Sequence, residues 1–92
     1  MNELVEHKRK RLKMRSMRRG TKEMDLILIR FSELFLDAMS DGELDHYDRF
    51  LSENDQDLYQ WCSGQADAKP LFQDLVQKIR DMIQTEKGLA PV

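Results

Sequence analysis

The chain has 92 residues, of which 40% are hydrophobic and 35% are charged, and its formal net charge at pH 7 is −2. This length and composition are typical of one small globular domain, and no apolar run approaches the roughly 20 residues that a membrane-spanning helix needs. The single cysteine, Cys62, excludes an intramolecular disulfide and favours a reducing compartment.

The small net charge conceals a strong division of charge along the chain. Residues 1–22 contain nine Lys or Arg and two Glu, a net charge of +7, whereas the remaining residues carry six bases and fifteen acids, a net charge of −9. Overall net charge is therefore a misleading guide to the partners of this chain.

The periodicity of the apolar residues predicts an all-α fold, a small helical bundle of about five helices. The first predicted helix covers residues 3–18, has few apolar side chains among many bases, and is expected to stop at Gly20. The second covers residues 22–40 and is expected to be the central buried helix. Its predicted stripe consists of Ile27, Phe31, Leu34 and Ala38.

The later elements have clear start and stop signals. Ser40 and Glu43 have the spacing of a capping box, which predicts the start of a third helix. Asn54 can cap a short fourth helix that ends at Gly64, before a linker. Pro70 suits the first position of a fifth helix. Its apolar stripe consists of Phe72, Leu75, Val76, Ile79 and Ile83.

The sequence thus predicts a single domain over residues 1–92. Its expected parts are the basic helix 3–18, a motif turn 19–23, an acidic helical body 24–86 and a frayed tail 87–92.

Candidate catalytic and metal-binding residues are sparse. His7 lies in the basic helix, and His46 lies between acidic neighbours on a helix face that the pattern indicates is solvated. One Cys with two distant His cannot supply a zinc motif, and no glycine-rich phosphate loop occurs. Cys62 is expected to be a small hydrophobic residue beside Trp61, because no nearby positive charge would activate its thiolate. These residues predict neither an enzyme nor a metal site.

The basic run at residues 8–13 is a candidate nucleic-acid site, since clustered Lys and Arg release counterions from a phosphate backbone. The run lacks aromatic side chains for base stacking, and the acidic remainder of the chain would repel a polyanion. The other interpretation is a solvated basic helix that balances the acidic body by long-range attraction. Binding to nucleic acid or to the ribosome is therefore the alternative function, and the less favoured one.

Arg19 and Gly20 lie where the basic segment gives way to the acidic body, with Glu23 one turn later. Glycine lets a partner's backbone approach closely, and arginine offers a planar fork to carboxylates or carbonyls. The local interpretation is that Gly20 ends the first helix or caps the second, and that Glu23 stabilises the helix dipole. On these residues alone the local interpretation is favoured.

The sequence Arg19-Gly20-Thr21-Lys22-Glu23, followed by Met24-Asp25-Leu26, resembles the motif of the succinate dehydrogenase flavinylation factor family. The later sequence Asp57-Leu58-Tyr59-Gln60-Trp61 resembles an Asp-Leu-x-x-Trp element of the same family. The resemblance extends in order and spacing over residues 11–83. Each short motif occurs by chance in many proteins, but their combination is specific.

The resemblance implies a helical assembly factor that is not an enzyme and that binds the flavoprotein subunit of succinate dehydrogenase, and often that of fumarate reductase. It would promote covalent attachment of FAD to a client histidine. FAD would belong to the client, and this chain would hold no cofactor or metal stably. The client-contacting residues that the resemblance implies are Arg18, Arg19, Gly20, Glu23, Asp25, Asp57 and Trp61. Trp61, on the same face as Leu58, is more typical of a core than of an interface.

Residues 1–18 leave no room for a separate transit segment before the motif, so we expect the bacterial cytoplasm rather than the mitochondrial matrix.

A third interpretation is a helical interaction module with some other client, which predicts no specific demand for Gly20.

Overall fold

The structure, a computed structural model, describes residues 3–86. Within this range the chain forms α-helices and no β-strand, which confirms the all-α prediction. The helices are α1 Val5–Ser16, α2 Lys22–Phe35, α3 Asp41–Leu51, α4 Asp55–Cys62 and α5 Gln73–Thr85. Short 3-10 turns at Leu36–Ala38 and Pro70–Phe72 follow α2 and precede α5. The predicted frayed tail at residues 87–92 lies outside the described residues.

The core is a single cluster of aromatic and aliphatic side chains to which all five helices contribute. The Tyr47 ring centroid lies 5.5 Å from that of Phe31, and the Phe50 centroid lies 5.4 Å from that of Phe72. Ring pairs at these separations add to the stabilisation from buried apolar area. As predicted, α2 is central, because it packs against α1, α4 and α5.

The predicted stripe of the second helix is partly wrong. Ile27 and Phe31 are buried, but Leu34 is 43% exposed, and Leu36 is buried in its place. Ala38 is exposed as well. The α-helix ends at Phe35 rather than near residue 40, and the tighter 3-10 turn that follows changes which side chains face the core.

Arg9 of α1 binds the segment that follows α2. Its Nε donates to the Leu36 carbonyl oxygen at 3.1 Å, and its Nη2 donates to the Met39 carbonyl oxygen at 2.8 Å. Both carbonyls belong to residues that follow Phe35, the last residue of α2, so Arg9 holds the 3-10 turn after the helix. Arg9 lies 27 residues from Leu36 in sequence, so no local signal marks this contact.

The first helix is shorter than predicted at both ends, and it stops at Ser16 before any glycine. The Arg19 N–H donates to Asp25 Oδ1 at 2.6 Å, and the Gly20 N–H donates to a carboxylate oxygen of Asp55. Neither amide is therefore free to continue the helix. Carboxylates from α2 and α4, rather than the glycine itself, fix the path of the chain after α1.

The capping residues of α3 and α4 follow the signals in the sequence, whereas α5 begins at Gln73, because Pro70 starts a 3-10 turn instead. Ser40 Oγ accepts from the Glu43 N–H at 3.2 Å while Glu43 Oε1 accepts from the Ser40 N–H at 2.9 Å, which confirms the capping box. Asn54 Oδ1 accepts from the Gln56 N–H at 2.7 Å and caps α4. Gly64 follows α4 with a φ of +83°, a conformation that glycine adopts without steric cost.

Ion pairs hold α1 on α3. Apolar contacts contribute less, because α1 has few apolar side chains. Leu12 is its fully buried apolar residue, whereas Met14 is 54% exposed. Lys8 Nζ lies 2.6 Å from Asp41 Oδ1 and 2.7 Å from Asp45 Oδ1. The aliphatic part of the Lys8 side chain is buried, as is common for a long basic side chain.

Asp48 is the second anchor between these helices. Arg11 Nη2 lies 3.0 Å from Asp48 Oδ2, and Arg15 Nη1 pairs with Asp48 Oδ1. Burial alone would raise the pKa of Asp48, but the hydrogen bonds and charges of the two arginines outweigh burial and lower the pKa. The predicted long-range attraction is thus a set of direct contacts, and their order along both helices shows that α1 and α3 run parallel.

We expect Asp48→Ala to lower the free energy of unfolding by about 2 kcal/mol, because it removes a carboxylate that accepts charged hydrogen bonds from two arginines. The matched control is Asp37→Ala, whose carboxylate pairs with Lys13 while its side chain is 76% exposed, so stability should hardly change. Urea unfolding followed by circular dichroism measures both. Equal losses in the two variants would contradict the proposed anchor.

Stability should also fall in acid. The pKa values of Asp48, Glu3 and Asp37 are all lowered by basic residues of α1. A carboxylate with a lowered pKa in the folded state stabilises the fold above its unfolded pKa, about 3.9 for Asp, and this contribution is lost as pH falls through the folded value. Unfolding free energy should therefore decline below about pH 4. The decline should be shallower in Asp48→Asn, and an unchanged slope in that variant would contradict the assignment.

Candidate functional site

The predicted motif lies in the connection between α1 and α2, which we call the Arg-Gly turn (residues 17–21). Thr21 ends the turn as the N-cap of α2, and its Oγ1 accepts from the Met24 N–H at 3.3 Å. Lys22 and Glu23, which the sequence placed in the turn, belong to the first turn of α2 instead. The predicted turn was therefore two residues too long at its C-terminal end. Thr21 marks the boundary, because threonine is a typical N-cap residue.

Arg19 pairs with Asp55 at the start of α4. Its Nε lies 2.9 Å from Asp55 Oδ1 and its Nη2 lies 2.7 Å from the same oxygen. The two side chains are 10% and 17% exposed, so the pair is largely withdrawn from water. A desolvated charge pair of this kind is costly to break, because the remaining charge is left without a partner. The guanidinium of Arg19 is therefore engaged inside the protein.

Gly20 lies against the same carboxylate. Its N–H donates to Asp55 Oδ2, and a Cβ atom built on Gly20 would lie 3.0 Å from that oxygen. A side chain at position 20 would thus press on the carboxylate that holds the turn. Gly20 remains exposed to solvent on its other side.

Asp25 has a comparable internal role. Its carboxylate lies in the first turn of α2 and accepts the Arg19 N–H at 2.6 Å. Acidic side chains in the first turn of a helix are favoured by the helix dipole, and this one also fixes the backbone of the turn. The Arg-Gly turn is consequently held between the N-terminal ends of α2 and α4.

Three of the predicted site residues face solvent around the turn. Arg18 is exposed and lines an open depression with residues 52–56. Glu23 is exposed in the first turn of α2, and Asp57 is exposed in the first turn of α4. These side chains offer both signs of charge next to one rigid turn, which suits contact with a protein surface.

Trp61 is a core residue. It is 6% exposed, and its ring centroid lies 6.5 Å from Phe50 and 6.2 Å from Phe72. Its carbonyl oxygen accepts from Arg80 Nε at 2.7 Å. Cys62 beside it is buried in the core, as predicted for a small hydrophobic residue, and burial raises the pKa of its thiol to about 12.

Most bases of the N-terminal segment are already bonded within the protein, which weighs against nucleic acid as a partner. Those engaged with carboxylates or carbonyls are Lys8, Arg9, Arg11, Lys13, Arg15 and Arg19. Lys10, Arg18 and Lys22 are exposed, and within residues 3–86 they form no ion pair. A phosphate backbone would have to displace acidic side chains to gain its usual affinity.

The open grooves differ in the charge of their walls. A groove of about 550 Å³ between α3 and α5 carries the acids Glu43 and Asp74 beside the base Lys78. The depression at the Arg-Gly turn carries arginines, but Arg19 is engaged and Glu53 and Asp55 are part of its wall.

Among residues 3–86 no cluster of three or more His, Cys, Asp or Glu could hold a metal ion. In that range no helix has the length and apolar character to cross a membrane.

Asp55 is the residue that sequence reasoning missed. The pattern around Asn54 indicated a helix cap and gave Asp55 no other role. One signal existed, since an arginine in a tight turn needs an acceptor, but the acceptor lies 36 residues away among many acids. The sequence alone could not choose between them.

Comparison with known proteins supports the family that the motifs suggested. A model of the family described as flavinator of succinate dehydrogenase matches residues 10–83. The chain is 45% identical over 69 residues to the mitochondrial succinate dehydrogenase assembly factor 2 of Meyerozyma guilliermondii, covering 75% of this chain and 51% of that protein. It is 40% identical over 87 residues to the protein of that name from Lodderomyces elongisporus, covering 91% of this chain and 52% of that protein. The chain spans about half the length of these relatives.

The prediction of the bacterial cytoplasm is wrong. The relatives are mitochondrial proteins of yeasts and other fungi, including one from Yarrowia lipolytica that is 33% identical over 90 residues, covering 92% of this chain and 62% of that protein. That prediction rested on the short segment before the motif. Because the chain spans about half of its relatives, the length of that segment carries no information about the compartment.

The two ends of the Asp-Leu-x-x-Trp element should respond differently to mutation. Trp61→Ala should lower the free energy of unfolding by about 3–5 kcal/mol, because it empties a buried aromatic site. Asp57→Ala should leave stability nearly unchanged, since its side chain is exposed. Urea unfolding followed by circular dichroism measures both variants. A stable Trp61→Ala protein would contradict the core position of this residue.

Proposed function

Because this chain belongs to the flavinator of succinate dehydrogenase family, we propose that it binds the flavoprotein subunit of succinate dehydrogenase and promotes covalent attachment of FAD to a histidine of that subunit. The observation that carries this proposal is the family match over residues 10–83, which includes α2, α3 and α4 and the Arg-Gly turn in one continuous stretch.

The protein is an assembly factor in this proposal and supplies no catalytic group. In the covalent step a client histidine nitrogen bonds to a flavin carbon, one N–H and one C–H proton leave, and the electron pair of the C–H bond stays on the flavin. The client and its flavin can perform this chemistry when they are correctly placed, because fixed geometry lowers the entropic part of the barrier. The two electrons left on the flavin then pass to a two-electron acceptor, such as a quinone, which returns the flavin to its oxidised form.

We place the client contact at the Arg-Gly turn and at the adjoining first turns of α2 and α4. Arg18, Glu23 and Asp57 are exposed there and can make charged hydrogen bonds across an interface. By binding preferentially to one client conformation, the protein would raise the population in which bound FAD meets the histidine. The hydrogen bonds that tie the turn to α2 and α4 support this role, since a preorganised surface loses less entropy on binding.

The family match supports the flavoprotein subunit of succinate dehydrogenase as the client, and the range of clients is a further part of the proposal. We include the flavoprotein subunit of fumarate reductase as a second client. FAD stays with the client in both cases.

The proposal predicts covalent flavin in a client produced with the wild-type chain. The measurement is in-gel flavin fluorescence of the denatured flavoprotein subunit, since denaturation leaves covalently bound flavin alone. Gly20→Arg should reduce the fluorescence to the level seen without this protein, because its side chain would displace the Asp55 carboxylate and the turn with it.

The matched control is Lys10→Ala, which removes an exposed base of α1 that has no ion pair within residues 3–86. It should support wild-type fluorescence. Circular dichroism must show that both variants are helical, and client abundance must be equal in all samples. Equal fluorescence with and without the wild-type chain would overturn the proposed function.

A further inference from the structure

One carboxylate binds both residues that give the Arg-Gly turn its name. Asp55 Oδ1 lies 2.9 Å from Arg19 Nε and 2.7 Å from Arg19 Nη2, and Asp55 Oδ2 accepts the Gly20 N–H. The Asp55 side chain is 17% exposed and belongs to the first turn of α4. The turn is thereby attached to a helix that follows it by more than 30 residues.

The demand for glycine at position 20 has an internal cause. The φ of Gly20 is not in the left-handed region, so backbone conformation does not require glycine there. A Cβ atom would instead lie 3.0 Å from Asp55 Oδ2. That carboxylate cannot easily withdraw, because its other oxygen is held by Arg19. A side chain at position 20 therefore weakens the pair between Arg19 and Asp55.

We propose that Asp55 is a positioning residue for client binding, which holds Arg19 and Gly20 against α4 and so fixes the exposed side chains Arg18 and Glu23 that meet the client. The inference rests on the proposed function. It assigns Arg19 and Gly20 to the support of the interface rather than to direct contact. A client that recruited the Arg19 guanidinium would first have to break a largely desolvated pair and leave the Asp55 carboxylate without its cation.

The test is a double-mutant cycle on client affinity, with the purified flavoprotein subunit of succinate dehydrogenase as the probe. We expect Gly20→Ala and Asp55→Ala each to weaken binding by about tenfold, and the double variant to weaken it by about the same factor. The second change adds little because the carboxylate that the new Cβ would meet is already absent. If Gly20 faces the client directly, the losses multiply to about a hundredfold, and the inference is wrong.

A second cycle tests the arginine. Arg19→Ala and Asp55→Ala should also be non-additive, whereas an arginine that contacts the client would add its own loss to that of Asp55. Should Asp55→Ala fail to fold, Asp55→Asn replaces it, because its amide oxygen can still accept the Gly20 N–H while the charge pair is lost. Wild-type affinity in Asp55→Asn would overturn the inference.

A stability control separates positioning from general damage. Ser40→Ala removes the N-cap of α3, at the end of that helix remote from the Arg-Gly turn. It should lower stability yet keep wild-type affinity at a temperature where every variant is folded. If Ser40→Ala weakens binding as much as Asp55→Ala does, Asp55 acts through stability alone and the inference is wrong.

The outcome for the wild-type chain separates the two proposals. If the wild-type chain does not bind the subunit, the proposed function is wrong, and the inference about client binding is wrong with it. If the wild-type chain binds and Asp55→Ala binds equally well, the inference alone is overturned.

Discussion

The docking of α1 on α3 is the interaction on which the rest of the structure depends. An amphipathic helix usually packs through an apolar stripe, but α1 buries little besides Leu12 and the aliphatic part of Lys8. Carboxylates of α3 make up the difference, and they are spaced to match the bases of α1, with Lys8 between Asp41 and Asp45 and two arginines on Asp48. Apolar contacts tolerate sliding, whereas charged hydrogen bonds require specific partners, so this seam fixes the register of α1 along α3.

That register determines where the Arg-Gly turn lies. Since α1 and α3 run parallel, the end of α1 comes beside the end of α3, and the chain after α3 leads directly into α4. Ser16 meets Tyr47 near this point, with 2.6 Å between the two hydroxyl oxygens. Arg19 and Gly20 then reach Asp55 in the first turn of α4. The polar contacts between α1 and α3 therefore position the Arg-Gly turn against α4, and the turn is joined to α4 through the Asp55 carboxylate.

The sequence predicted the elements whose signals are local and missed those that depend on distant partners. The capping box at Ser40 and the stripe of α5 are encoded within a few residues, and the structure contains both. The path of the chain after α2 depends on Arg9, and its path after α1 depends on Asp25 and Asp55. The periodicity of apolar residues contains no information about such contacts. The predicted apolar stripe of α2 was therefore extended to Leu34 and Ala38, which are exposed. The site was predicted at the Arg-Gly turn without Asp55, for the same reason.

The division of charge along the chain has a structural purpose that composition alone would hide. A segment with a net charge of +7 suggests a polyanionic partner. Most of its bases instead form ion pairs or hydrogen bonds with the acidic body of the same protein. What remains for a partner is a small set of exposed charges beside a rigid turn. Specificity for a protein client is better served by this arrangement than by a free basic helix, because a few fixed charges of both signs reject a mismatched surface, whereas a mobile basic segment binds any polyanion.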